Sequence, residues 1–158
     1  VDTLYHAEKN NKSVSFPRTS PDGRFLMITL SDHATFPIWH QEADLWMMDL
    51  KDGKTVCLDA LNSQSVESYH SWSSNSRWVV FASKRDDKVY GRPYIAHIDE
   101  NGQVSKAFLL PQRNPKLYKT TLKSFNLPEL SSWKENYNAR DISVLYNNIE
   151  PTQVTYKQ

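Results

Sequence analysis

The chain has 158 residues, with 19 Lys and Arg against 18 Asp and Glu, length enough for one domain with a real core. So close a balance carries no electrostatic footprint for nucleic acid or an anionic membrane surface, and no apolar run approaches a bilayer span. Cys57 is the single cysteine, which excludes an internal disulfide and a thiolate metal cluster.

Aromatic residues make up 12% of the chain and Gly only four positions, a composition that suits strands better than a flexible linker. The first residue is Val, and the expectation is a segment of a larger protein whose targeting segment lies outside it. Residues 1–12, with Leu4-Tyr5-His6-Ala7, read as the end of a preceding unit or an N-terminal arm. In "SPDGRFLMITL", residues 20–30, Pro21 presets φ for a turn and Asp22-Gly23 accepts its tight positions. A strand apolar on both faces follows, of the kind buried between sheets.

One fixed offset superimposes a second copy of this device. Ser15, Ser20 and Arg24 fall on Ser68, Ser73 and Arg77; Phe16 and Phe25 fall on Tyr69 and Trp78; Leu26-Met27-Ile28 falls on Val79-Val80-Phe81. Asn75-Ser76 replaces Asp22-Gly23 as a weaker version of the turn. Each copy then runs into a hairpin signal, Asp52-Gly53 and Asn101-Gly102, where type I′ turns need positive φ at both central residues. The predicted strands are 14–19, 24–31, 44–50 and 54–58, then 67–72, 77–83, 93–99 and 103–110. Four antiparallel strands recurring about every 40–55 residues describe a propeller blade, with 13–59 as the first and 60–111 as the second. The alternative is a single eight-stranded sandwich.

Beyond residue 111 the pattern changes. Asn114-Pro115 reads as a helix start, with Leu117, Tyr118 and Leu122 on one face. Ile142, Leu145, Tyr146 and Ile149 form the stripe of a surface helix, and Thr152 and Lys157 bound a last alternating strand. Residues 112–158 are expected to form a cap with two short helices that covers exposed sheet edge.

The stretches "FPRTSPDGRFLMITLS" and "DLWMMDLKDG" resemble the TolB-type, WD40-like propeller repeat, in which a W-S-P-D-G-[KR] turn introduces the second strand. Trp72-Ser73 carries the Trp-Ser of that motif; Thr19 stands in its place in the first unit, and Ser74-Asn75-Ser76 departs from Pro-Asp-Gly. The resemblance covers about residues 13–111. It implies an all-β fragment of a TolB-like propeller, two four-stranded blades plus the C-terminal cap, from a protein of the bacterial cell envelope or periplasm. It is specific for the blade and weak for function, since such blades occur in assembly proteins and in the propellers of serine peptidases.

No G-x-S-x-G elbow, P-loop, dinucleotide fingerprint or H-E-x-x-H appears, so no catalytic residue and no cofactor is assigned. His33 and His40, with Glu42 and Asp44, make the best metal-like cluster, but the spacing matches no recognised site, the histidines read as solvated loop residues, and no metal is assigned. Asp86-Asp87 reads as a solvated turn. The segment 32–43, "DHATFPIWHQEA", exceeds what a hairpin needs and carries Phe36, Trp39 and His40, while the matching segment "KRDDKVYGR" offers Arg85, Tyr90 and Arg92. In a propeller these loops share one rim. They form either an aromatic and arginine contact surface for a protein partner or a flap in which Phe36 and Trp39 fold back over a blade. The function expected is a non-catalytic propeller module acting through protein contacts; an accessory propeller of a serine hydrolase and a glycan-binding module are the alternatives. Two blades leave two apolar faces, so the isolated chain is expected to self-associate through its open blade face or N-terminal edge.

Overall fold

The computed structural model describes residues 3–33, 35–134 and 136–149. Its strands are β1 (Ser13–Thr19), β2 (Phe25–Ser31), β3 (Asp44–Asp49), β4 (Thr55–Cys57), β5 (Glu67–Trp72), β6 (Trp78–Ser83), β7 (Arg92–His97) and β8 (Phe108–Leu109). Two helices follow, α1 (Leu117–Thr120) and α2 (Ala139–Asn148). The strands form two four-stranded antiparallel sheets, ordered β1-β2-β3-β4 and β5-β6-β7-β8. Each is an up-and-down meander of the blade type.

The repeat extends to single hydrogen bonds. Ser20 Oγ accepts from Phe25 N at 3.0 Å and Ser73 Oγ from Trp78 N at 2.9 Å. The same hydroxyls meet Asp22 and Asn75 at 2.6 and 2.7 Å, and those side chains accept from Arg24 N and Arg77 N. Gly23 and its counterpart Ser76 both take positive φ, 72° and 59°, so the serine turn is built like the glycine one. The two turns also touch, Asp22 N donating to Ser76 Oγ at 3.0 Å. Phe16 and Tyr69 share a second device: both sit at positive φ where their strand slips register against its neighbour, and their rings meet with centroids 4.8 Å apart. Paired bulges bend both inner strands alike.

Alternation along the strands sets the packing. Phe25, Met27, Leu45 and Met47 of the first sheet meet Val79, Phe81, Tyr94 and Ala96 of the second in one core, joined by Leu61 and Trp72. The opposite side of the first sheet buries Leu26, Ile28, Leu30 and Met48, with Tyr5 packed against them. Every residue of β2 is therefore buried, each large apolar side chain contributing roughly 1.5–3 kcal/mol. β5 lies against β1, β2 and β3, and Trp72 Nε1 donates to the Arg18 carbonyl at 3.1 Å, tying the blades at their inner strands.

The structure departs from the sequence reading in four places. The hairpins are not two-residue type I′ loops: only Gly53 and Gly102 take positive φ, and the loops are 50–53 and 100–102. Asp49 and Asp99 explain this, since their carboxylates accept from Lys51 N and Asn101 N and hold wider turns. The last strand shrinks to β8 plus an isolated Ile98–Val104 bridge, because Ala107 N turns away to the Ala60 carbonyl. α1 starts at Leu117 and not at Pro115; Asn114 Oδ1 instead accepts from Lys116 N in the preceding turn. α2 begins with an Asn138–Asp141 capping box, yet buries none of its residues. Covering falls to the segment before it, where Phe125 N donates to the Gly91 carbonyl and Glu129 pairs with Arg18. The strand expected beyond Pro151 lies outside the described residues.

Candidate functional site

The segment 32–43 leaves β2 and returns to β3 through a short 3-10 turn, Pro37–Trp39, entered by Phe36 in the left-handed region at φ 57°. Pro37 and Ile38 are buried, and Ile38 packs with Ala43, Val66 and Ala82 where the two sheets adjoin. That anchor fixes the turn and forces its two flanking aromatics outward. Phe36 is 68% exposed and Trp39 78%. The flap and the display are thus divided between residues: Pro37 and Ile38 fold back, and Phe36 and Trp39 project.

The segment 84–91 does lie beside it. Lys84 Nζ stands 4.4 Å above the Trp39 ring, a cation–π contact. Ile38, Trp39, Val66, Lys84, Lys88 and Val89 line a groove of about 420 Å³. His40 joins the same loop, its Nε2 3.1 Å from the Thr35 carbonyl and its Nδ1 3.5 Å from Glu42 Oε1.

The two arginines part from the sequence reading, which placed them on the contact surface. Arg85 turns inward to Glu67, a carboxylate with 0% exposure. Glu67 also accepts from Ser63 N, Ser63 Oγ and Ser83 Oγ at 2.9, 2.7 and 2.7 Å. Arg85 donates to the Leu61 carbonyl and stacks over Tyr94 at 4.4 Å. A buried carboxylate requires a counter-charge and donors, and Arg85 is spent on it. Arg92 is 3% exposed and donates to the Lys123 and Thr121 carbonyls, clamping the 112–129 segment to the start of β7. Tyr90 lies under the Arg92 guanidinium at 5.0 Å and lines a different cavity, with Leu109, Tyr118 and Leu122. The structure therefore brings Phe36, Trp39 and His40 into one loop and replaces the expected arginines with Lys84 and Lys88. Glu67 was the missed residue. Its signal is a lone acid at a strand position where the first repeat has Val14.

Among the described residues, the donor atoms of His33, His40 and Glu42 lie within 4.8 Å of one another. Asp44, the fourth member of the sequence cluster, stands apart, its carboxyl pushed up to about 6 by burial and by Glu67. Burial pushes the Cys57 thiol up to about 11, opposite to what a nucleophilic thiolate needs.

No protein-family model matches the chain, and no curated protein matches it either. Among solved structures, the chain is similar to TolB from Acinetobacter baumannii, with 17% identity over 60% of this chain and 21% of that one, at a TM-score of 0.36. It is also similar to a structure from an analysis of two prolyl endopeptidases, with 14% identity over 69% and 22% of the respective chains, at a TM-score of 0.34. The chain spans about a fifth of the length of these structures.

Proposed function

We propose that this chain is a non-catalytic propeller-type module that binds a protein partner through the rim formed by segments 32–43 and 84–91. The observation that carries this is the split within one short turn: Pro37 and Ile38 are buried while Phe36 and Trp39 are held in solvent. An apolar pair held outward by a buried anchor has the chemistry of an interface centre, an aromatic ready to fill a partner's pocket, with Lys84 and Lys88 supplying the polar rim beside it. The bacterial cell envelope as its location rests on the TolB-type turn motif. Self-association of the isolated chain belongs to the same proposal.

Site-specific photo-crosslinking in cells tests it. A benzophenone side chain at position 36 or 39 is expected to give a discrete heavier adduct. The same group at Lys51, exposed at the other end of β3, is expected to give none. Equal labelling at all three positions, or no adduct at 36 and 39, ends the rim assignment.

A further inference from the structure

Metal-ligating side chains stand at both ends of the loop that displays the rim aromatics. His33 follows Asp32 just beyond β2, while His40 and Glu42 lead into β3. Wrapping of the loop around the buried Pro37–Ile38 anchor returns these ends to each other. Their donor atoms fall within 4.8 Å, with His40 Nδ1 3.5 Å from Glu42 Oε1. The His33 and His40 rings meet nearly edge-on, centroids 5.0 Å apart at 82°.

Four-coordinate zinc, with bonds of about 2.0–2.2 Å, sets its ligand atoms roughly 3.3 Å apart. The His40–Glu42 pair, at 3.5 Å, is close to that spacing, and a His33 nitrogen lies within 4.8 Å of both. A second observation concerns the far nitrogen of His40. Nε2 lies 3.1 Å from the Thr35 carbonyl, which can only accept, so Nε2 is the donating nitrogen and Nδ1 is the one directed at Glu42. A backbone carbonyl bracing the far nitrogen is how proteins fix the tautomer of a metal-binding imidazole. An ion pair between His40 and Glu42 accounts for two of these residues, and the edge-on contact of the His33 ring brings a second imidazole beside them.

We propose that His33, His40 and Glu42 bind one divalent transition-metal ion of the zinc class, its coordination completed by water or by a donor from a partner. Two imidazoles and a carboxylate are a borderline donor set that favours zinc and its neighbours over calcium or magnesium. The bound ion clips the ends of the 32–43 loop together and narrows the range of positions open to Phe36 and Trp39. Metal binding stands on this geometry alone; its influence on recognition rests on the rim reading above.

The test uses the full 158-residue chain, with Co²⁺ and then Zn²⁺ as probes. Co²⁺ is expected to give visible ligand-field bands that one equivalent of Zn²⁺ abolishes. His33→Ala and His40→Ala are each expected to weaken Zn²⁺ binding about tenfold or more, and Glu42→Gln to weaken it as well, with unchanged far-ultraviolet circular dichroism. His6→Ala, an exposed histidine outside the loop, is expected to bind like the parent. Absence of the bands, or binding indifferent to His33→Ala and His40→Ala, overturns the site. Because the titration needs no partner, its failure leaves the crosslinking result to stand or fall separately.

Discussion

His70 shows how a single side chain couples the two blades to pH. It is buried on β5, with Nε2 3.0 Å from the Met27 carbonyl of β2. Its Nδ1 has no hydrogen-bond partner among the described residues. Burial pushes the imidazole down to about 4 from an ordinary 6.5, the Met27 carbonyl opposing and Arg18 assisting. A depressed histidine favours the neutral form in the folded chain, so below about 6.5 the unfolded chain takes up the proton first. Stability from this residue is complete above pH about 6.5 and falls as pH drops toward about 4, a loss on the order of 3 kcal/mol. Asp44 titrates in the same window with the opposite sign, its carboxyl raised to about 6, so the comparison has to be between variants. Urea unfolding from pH about 7 to about 4.5 is expected to lose less stability in His70→Gln than in the parent; parallel curves would refute the assignment. None of this was legible in the sequence. "HSWS" advertises a repeat motif, and only the packing of β5 against β2 shows that its histidine is sealed in.

At the scale of elements, the paired hairpins separate backbone strain from packing. Gly53 and Gly102 both take left-handed φ, 74° and 78°, where any Cβ costs about 1 kcal/mol. Around Gly53 a Cβ would meet nothing within 4 Å, whereas at Gly102 it would come 3.0 Å from Phe25 Cε1 and Cζ. Phe25 belongs to the shared core and is 3% exposed, so any retreat of its ring comes at the expense of core packing. Gly53→Ala is therefore expected to cost about 1 kcal/mol and Gly102→Ala about 2–3 kcal/mol, read as denaturation midpoints at constant slope. Equal costs would mean that the second hairpin does not press on the first blade. Both hairpins were visible in the sequence because turn chemistry is local, as was the offset that relates the two units. Their true lengths were not, since Asp49 and Asp99 widen the turns through side-chain bonds that a dipeptide signal does not encode. The shortened β8 was hidden for a different reason, a tertiary bond from Ala107 N to Ala60 O. The rim was half legible. The length and aromatics of 32–43 pointed to it, but the arginines beside it were claimed by Glu67 and by the 121–123 carbonyls.

For the whole molecule, the unresolved balance is where apolar surface remains in water. The repeat pattern predicts that surface on an open blade face or at the N-terminal edge. The outer side of the first blade is instead well buried, with Tyr5 against Leu26, Ile28, Leu30 and Met48. Among the described residues, the apolar surface left open beyond the 32–43 rim includes α2 and part of the second blade. Ile142, Leu145 and Ile149 are exposed and Tyr146 is 81% exposed, while Trp78, Ile95, Phe108 and Leu130 line an apolar groove of about 460 Å³. A helix of this length is marginal in water without a packed face. Covering a few hundred Å² at roughly 25 cal/mol per Å² returns on the order of 10 kcal/mol before the cost of association. The isolated chain is therefore expected to dimerise or assemble further, with the α2 stripe covered by a second copy. Sedimentation velocity across low to high micromolar concentration is expected to show a mass-action shift. The double variant Ile142→Asp with Leu145→Asp is expected to stay monomeric with its sheet signal intact. A parent chain that remains monomeric throughout would overturn self-association. A double variant that associates like the parent would move the contact off α2 to the groove beside Trp78.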